Sequence, residues 1–336
     1  MARTLKVAAA QVGAVHRSTP RTEVLARLIV LLEQASQQGV QLVIFPETTF
    51  TTFFPRYYIP DEAELATYFE REGPEGITTS PNVSAFFARA KELSLDVQIG
   101  YGEDTGTQRF NTAVYVGGKT GEVLGKYRKV HLPGTVEPFD YEPETTNQLE
   151  KRYFLPGNLG FEAFRATSLK DAAGGSSPIV GQLICNDRRW AEGWRCYGLQ
   201  GVEILCCGYN TTAYAPKLWG GNQSISREKA YAEAMFHHKL VVQAHAYTNS
   251  MFCITSGRSG VDDGIHPLIP GSMIVHPEGH IVAESKTEGD ELVVATIDLD
   301  DCLQGKERTF NLGKHRRVEA YGRLVQEGGV KVPAEP

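Results

Sequence analysis

Short apolar runs alternate with longer amphipathic stretches along this chain. The runs Leu5 to Gln11, Gln41 to Phe45, Asp96 to Tyr101, Asn111 to Val116 and Val123 to His131 predict strands. Gly117 to Gly121 supplies a hairpin turn between the last two. Arg21 to Gln38 predicts a helix, because Leu25, Leu28, Ile29, Leu31 and Leu32 cluster at helical spacing and Gly39 supplies a stop. Ser84 to Leu93 predicts a second helix. Further on, Ile179 to Cys185 reads as a strand, Arg188 to Leu199 as a helix, and Val202 to Cys207 as a buried strand. A helix over Ser224 to His238 is followed by expected strands at Leu240 to Ala246, Phe252 to Ser256, Ser272 to His276, His280 to Ser285 and Glu291 to Ile297. About a dozen strands with interleaved helices predict an α/β protein, with two sheets between helices. The stretch Leu132 to Pro156 is irregular, as functional loops often are.

Composition narrows the classes. The 336 residues are 41% hydrophobic and 22% charged, ordinary for a globular chain with a sizeable core. A net charge of -6 argues against nucleic acid and gives no reason to expect an anionic membrane surface. No secretory leader and no membrane-spanning run is visible, so a cytoplasmic protein is expected. The six cysteines form no C-x-x-C pair, and Cys206 and Cys207 read as buried small hydrophobes.

Three polar residues sit where strands end: Glu47, Lys129 and Cys185. Ligands of α/β sheets bind beyond the carboxyl ends of strands, so the three could share a pocket. Acyl transfer could use them directly. A carboxylate takes the thiol proton, the sulfur attacks a carbonyl, and an ammonium steadies the oxyanion. A helix opening after Cys185 would favour negative charge there. Equally, each could be bland: a core cysteine, a solvated glutamate, and a lysine on a basic face with Lys126 and Arg128.

Three segments go further than spacing: Phe45-Pro46-Glu47, Tyr127-Arg128-Lys129-Val130-His131-Leu132 and Leu183-Ile184-Cys185-Asn186-Asp187. In order and spacing they resemble the signature segments of the nitrilase (carbon–nitrogen hydrolase) superfamily. Thr51 to Arg56, Arg109 to Thr112, Leu149 to Phe154, Cys185 to Trp190 and Gly208 to Thr211 further resemble the N-carbamoyl-D-amino acid amidohydrolases. The resemblance implies a four-layer α-β-β-α sandwich in one domain over residues 1–336, with the end from about 310 as an oligomerisation extension in a homodimer or homotetramer. It implies cleavage of N-carbamoyl-D-amino acids to D-amino acid, ammonia and carbon dioxide, without metal or other cofactor. Cys185 takes the place of the nucleophile, Glu47 of the base, Lys129 of the lysine and Glu150 of a second glutamate. His131, Asn186, Arg188, Arg189, Asn210 and Thr211 fall on substrate-binding positions, with the arginines on the carboxylate. A guanidinium fork suits a carboxylate better than lysine does.

Departures fall beside the substrate. Gln148 stands where those relatives carry histidine, the loop Thr135 to Asn147 differs, and Ala191 replaces a helix-opening proline. A simple amide, a β-ureido acid or a carbamoyl-amine is the alternative substrate; a non-catalytic binding protein of the same fold is the alternative class. His237 and His238 adjoin on a helix, which does not put them on one face, so they are expected in packing or subunit contacts rather than on a metal.

Overall fold

The computed structural model describes residues 2–74, 76–218 and 224–335. Its strands are β1 (Thr4–Gln11), β2 (Leu42–Ile44), β3 (Phe69–Arg71), β4 (Asp96–Asp104), β5 (Arg109–Val116), β6 (Val123–Arg128), β7 (Phe164–Arg165), β8 (Ile179–Ile184), β9 (Ile204–Tyr209), β10 (Phe252–Gly257), β11 (Gly260–Asp262), β12 (His266–Leu268), β13 (Met273–Val275), β14 (Ile281–Glu284) and β15 (Glu291–Asp298). The longer helices are α1 (Arg21–Gln37), α2 (Ser84–Glu92), α3 (Ala191–Leu199) and α4 (Arg227–Asn249). One sheet runs β15-β1-β2-β4-β5-β6 with β3 beside β4, and the other runs β14-β13-β10-β9-β8-β7. β1–β2–β4 pair in parallel, as do β8–β9–β10, whereas β4–β5–β6 form antiparallel hairpins.

Period-two alternation explains the layering. Val7, Ala9, Leu42, Ile44, Ile204, Cys206, Phe252 and Ile254 share one buried cluster between the two sheets. Their neighbours Ala8, Ala10, Val43 and Val97 point the other way, against Leu28, Leu32, Phe86 and Phe87 of α1 and α2. Leu205, Cys207 and Cys253 likewise pack on Trp194, Val242 and Ala246 of α3 and α4. The result is a helix–sheet–sheet–helix stack, as expected from the resemblance, and Cys206 and Cys207 face opposite layers.

Two expectations fail locally. Leu240 to Ala246 is not a strand but the middle of α4. Ser226 caps the helix through its hydroxyl, which accepts from the Lys229 amide, and His238, Val242, Ala246 and Asn249 recur on its buried side. Helical burial outweighs the β preference of Val241-Val242. Nor does a helix open directly after the nucleophile position. Cys185–Arg189 forms a tight 3-10 turn, and α3 starts only at Ala191.

Candidate active site

Glu47 lies three residues past β2, in a turn where Thr48 takes φ +43°. The peptide before it is pinched by both sheets. A Cβ on Gly100 of β4 would stand 2.7 Å from Glu47 Cα, and one on Gly208 of β9 would stand 2.7 Å from the Pro46 carbonyl carbon. Only glycine permits backbones to approach so closely. From the β10 side, Arg258 Nη2 donates to the carbonyls of Thr48 and Thr49, both at 3.3 Å.

Lys129 follows β6 and is fully buried. Its Nζ donates to Glu47 Oε1 at 2.7 Å and to Glu150 Oε2 at 2.6 Å. Glu150 begins a single helical turn (Glu150–Tyr153) in the irregular loop. Asn111 of β5 donates from Nδ2 to both carboxylates, at 2.7 Å to Glu47 and 3.4 Å to Glu150. Burial pulls the Lys129 pKa down, but Glu150, Glu47 and Cys185 together hold it above the ordinary lysine value, so it stays an ammonium. Glu150 is raised, by burial first and against the pull of Lys129, with the Glu47 charge adding to the rise.

Cys185 takes φ +46°, a strained backbone for a residue with a side chain. Its Sγ donates to Asn210 O at 3.3 Å, while Asn210 N donates to Glu47 Oε2 at 3.0 Å. The thiol pKa is raised, mainly by burial and then by Glu47, with Lys129 and Arg188 opposing. The resting sulfur is therefore a neutral thiol that needs a base to become a nucleophile.

Asp187 joins the two segments. It accepts from His131 N at 2.9 Å, from Tyr127 OH at 2.8 Å and from Ile184 N at 3.3 Å, and pairs with His131 Nδ1 at 2.8 Å. The lysine segment is thereby tied to the cysteine turn.

A cavity of about 650 Å³ opens over the sulfur. Asn186, Arg189, Asn210 and Thr211 line it with Cys185, as do Phe53, Asn147 and Gln148. His131 and Arg188 do not. His131 is half-buried, stacked on Trp190 at 4.6 Å and held by Asp187. Arg188 is fully buried and turned into the protein. Its Nη1 donates to Cys185 O at 2.6 Å, Nη2 to Thr211 Oγ1 at 2.7 Å and Nε to His238 Nδ1 at 3.1 Å, with the guanidinium 4.9 Å from the Tyr209 ring centroid. That arrangement corrects its reading as a substrate contact: the side chain braces the strained cysteine carbonyl. Arg189 reaches solvent at the cavity wall, and its Nη1 donates to Asn186 Oδ1 at 3.0 Å. Crowding by the wall, then the Arg188 charge, lower its pKa to about 10, which leaves it a cation at neutral pH.

Thus a thiol, an ammonium and two carboxylates, distant in sequence, share one buried nest under a cavity. The family model for carbon-nitrogen hydrolases matches residues 6–307. The chain belongs to the carbon–nitrogen hydrolase family. This carbon–nitrogen hydrolase is 26% identical over 306 residues to an N-carbamoylputrescine amidase of Arabidopsis thaliana, across 89% of each chain. It is 26% identical over 308 residues to a citrullinase of Francisella tularensis, across 91% of this chain and 93% of that one. Among solved structures it resembles a carbon-nitrogen hydrolase from Helicobacter pylori G27, with TM-score 0.76 and 22% identity over 97% and 99% of the two chains. It also resembles Saccharomyces cerevisiae Nit3, with TM-score 0.70 and 18% identity over 94% and 97%. These likenesses fix the fold as that of the superfamily. The carbon–nitrogen hydrolase is an enzyme for non-peptide C–N bonds.

Reading the sequence missed Asn111, although its segment was singled out, and missed the strut role of Asp187. His237, expected with His238 in packing or subunit contacts, instead lines the cavity, while His238 is buried against Arg188 and Gly271 O.

Proposed function

We propose that the protein hydrolyses the carbamoyl C–N bond of N-carbamoyl amino acids, D-isomers first, with Cys185 as nucleophile. Glu47 takes the thiol proton as sulfur bonds to the ureido carbonyl carbon. The carbonyl π pair moves to oxygen, facing the Lys129 ammonium. The intermediate collapses, one C–N bond breaks, and Glu47 returns the proton to the departing nitrogen. Water then attacks the thioester carbonyl, again losing its proton to Glu47, which passes it to the leaving sulfur. The carbamic acid so released decomposes to amine and carbon dioxide. Glu150 and Asn111 hold Lys129 and Glu47 in register.

The observation that carries this reading is the cation Arg189 on the cavity wall beside the buried Cys185–Glu47–Lys129–Glu150 nest. A planar guanidinium there suits a substrate carboxylate. The test is ammonia release from D- and L-carbamoyl amino acids, β-ureidopropionate and plain amides. Carbamoyl amino acids should lead, and Cys185→Ala should abolish turnover in a folded protein. Turnover retained in that variant removes the mechanism. Uncharged amides turned over as well as carbamoyl acids, with Arg189→Ala indifferent, removes the carboxylate assignment. The names of the two relatives favour a second reading, a carbamoyl group at the end of an aliphatic chain.

A further inference from the structure

One wall of the cavity has no part in the chemistry above. The face of α4 formed by Ala230, Glu233, Ala234, His237 and Val241 borders it, at the spacing of successive helical turns. Ala230, Ala234 and Val241 would suit any apolar ligand; the Glu233 carboxylate would not. Its carboxylate is 49% exposed, and among the described residues its one ionic neighbour is Lys229, one turn back at 3.9 Å and 67% exposed. Such a loose, solvated pair contributes little, so the carboxylate is free to take another partner. His237 sits one turn further along the same face. Ala213, Ala215, Pro216 and Leu218 add further apolar lining to the same cavity.

The cavity therefore carries charges of both signs. Arg189 supplies a cation to the lining and Glu233 a carboxylate, with apolar side chains sharing the wall between other lining groups. Its volume of about 650 Å³ lies in the range of small-molecule sites and exceeds what a ureido group and a carboxylate fill. We propose that the Glu233 face of α4 is a cation-recognising subsite, so that the preferred substrate is a ureido acid whose side chain ends in an ammonium or guanidinium group. Methylenes would run along the alanines of α4, which leave room for them, and the terminal cation would meet the carboxylate. The inference rests on the ureido-acid reading above and adds the side chain to it.

The test compares N-carbamoyl-D-lysine with N-carbamoyl-D-norleucine, which has the same carbon skeleton and lacks the amine. The lysine compound should lead in kcat/KM by about tenfold, the scale of one charge-assisted hydrogen bond discounted for solvent. Glu233→Gln should bring the ratio near one. Lys229→Ala, which removes the competing cation, should widen it, and the change should appear in KM. Norleucine turned over with a ratio near one in the native protein overturns this inference and leaves the ureido-acid reading standing. A preference that survives Glu233→Gln overturns it too. Turnover of neither compound overturns both.

Discussion

Gly208→Ala is the sharpest probe of how the site is built. The added Cβ would lie 2.7 Å from Pro46 C, 2.8 Å from Glu47 N and 2.8 Å from Phe45 O. Carbon atoms rest at about 3.5–4.0 Å, so roughly 0.8 Å must be found. All three obstacles are backbone atoms, and behind them Gly100 of the other sheet blocks retreat, its own Cβ standing 2.7 Å from Glu47 Cα. Overpacking of this kind costs about 1–3 kcal/mol of stability. A shift near 1 Å in a reacting group costs about 10²-fold in rate, so half of it or more should cost about 10- to 100-fold in kcat/KM. Ammonia release and a thermal melt, run together, read both. Gly289→Ala is the control, because a Cβ there meets nothing within 4 Å. Wild-type kcat/KM and melting in Gly208→Ala would refute the claim that the two sheets position Glu47 by contact.

The two arginines should separate. Arg189→Ala should raise KM for carboxylate-bearing substrates about tenfold with kcat little changed, whereas Arg188→Ala should cost about 3 kcal/mol of stability by orphaning three buried partners; equal KM effects from both would restore Arg188 to the substrate. Iodoacetamide should modify Cys185 faster as pH rises, since the thiol pKa lies above its ordinary value. The exposed Cys196 must first be replaced by Ser, and labelling of Cys185 no faster than that of buried Cys206 would speak against activation. Glu150 is raised, so it regains its proton at higher pH than a free carboxylate and then gives Lys129 a weaker partner. Activity should fall on the acid side above the ordinary glutamate range, and Glu150→Gln should lose that limb at a lower plateau; an unshifted limb in the variant assigns it to another group.

Much of this was legible in the residues. Period-two and helical patterns placed β1, α1, α2 and the β5–β6 hairpin within a few positions. Glu47, Lys129 and Cys185 could be named because strand ends and motif order point to them, and Glu150 because its segment resembles that of the N-carbamoyl-D-amino acid amidohydrolases. What escaped depends on contacts between distant segments. Arg188 and Arg189 are adjacent letters, and only the tight turn decides that one faces the cavity and the other the protein. Gly100 and Gly208 look like weak strand residues until two sheets close on one peptide. Val241-Val242 carries a local strand preference that the packing of a 23-residue helix overrides.

The pinch on Pro46–Glu47 bears on when the enzyme becomes reactive. Its base belongs to one sheet, its sulfur to the other, and neither half holds a competent centre alone. A ribosome-bound or half-assembled chain would carry an ordinary cysteine with no base beside it, unable to turn substrate over. Regained hydrolysis during refolding would then report the last docking event, not collapse.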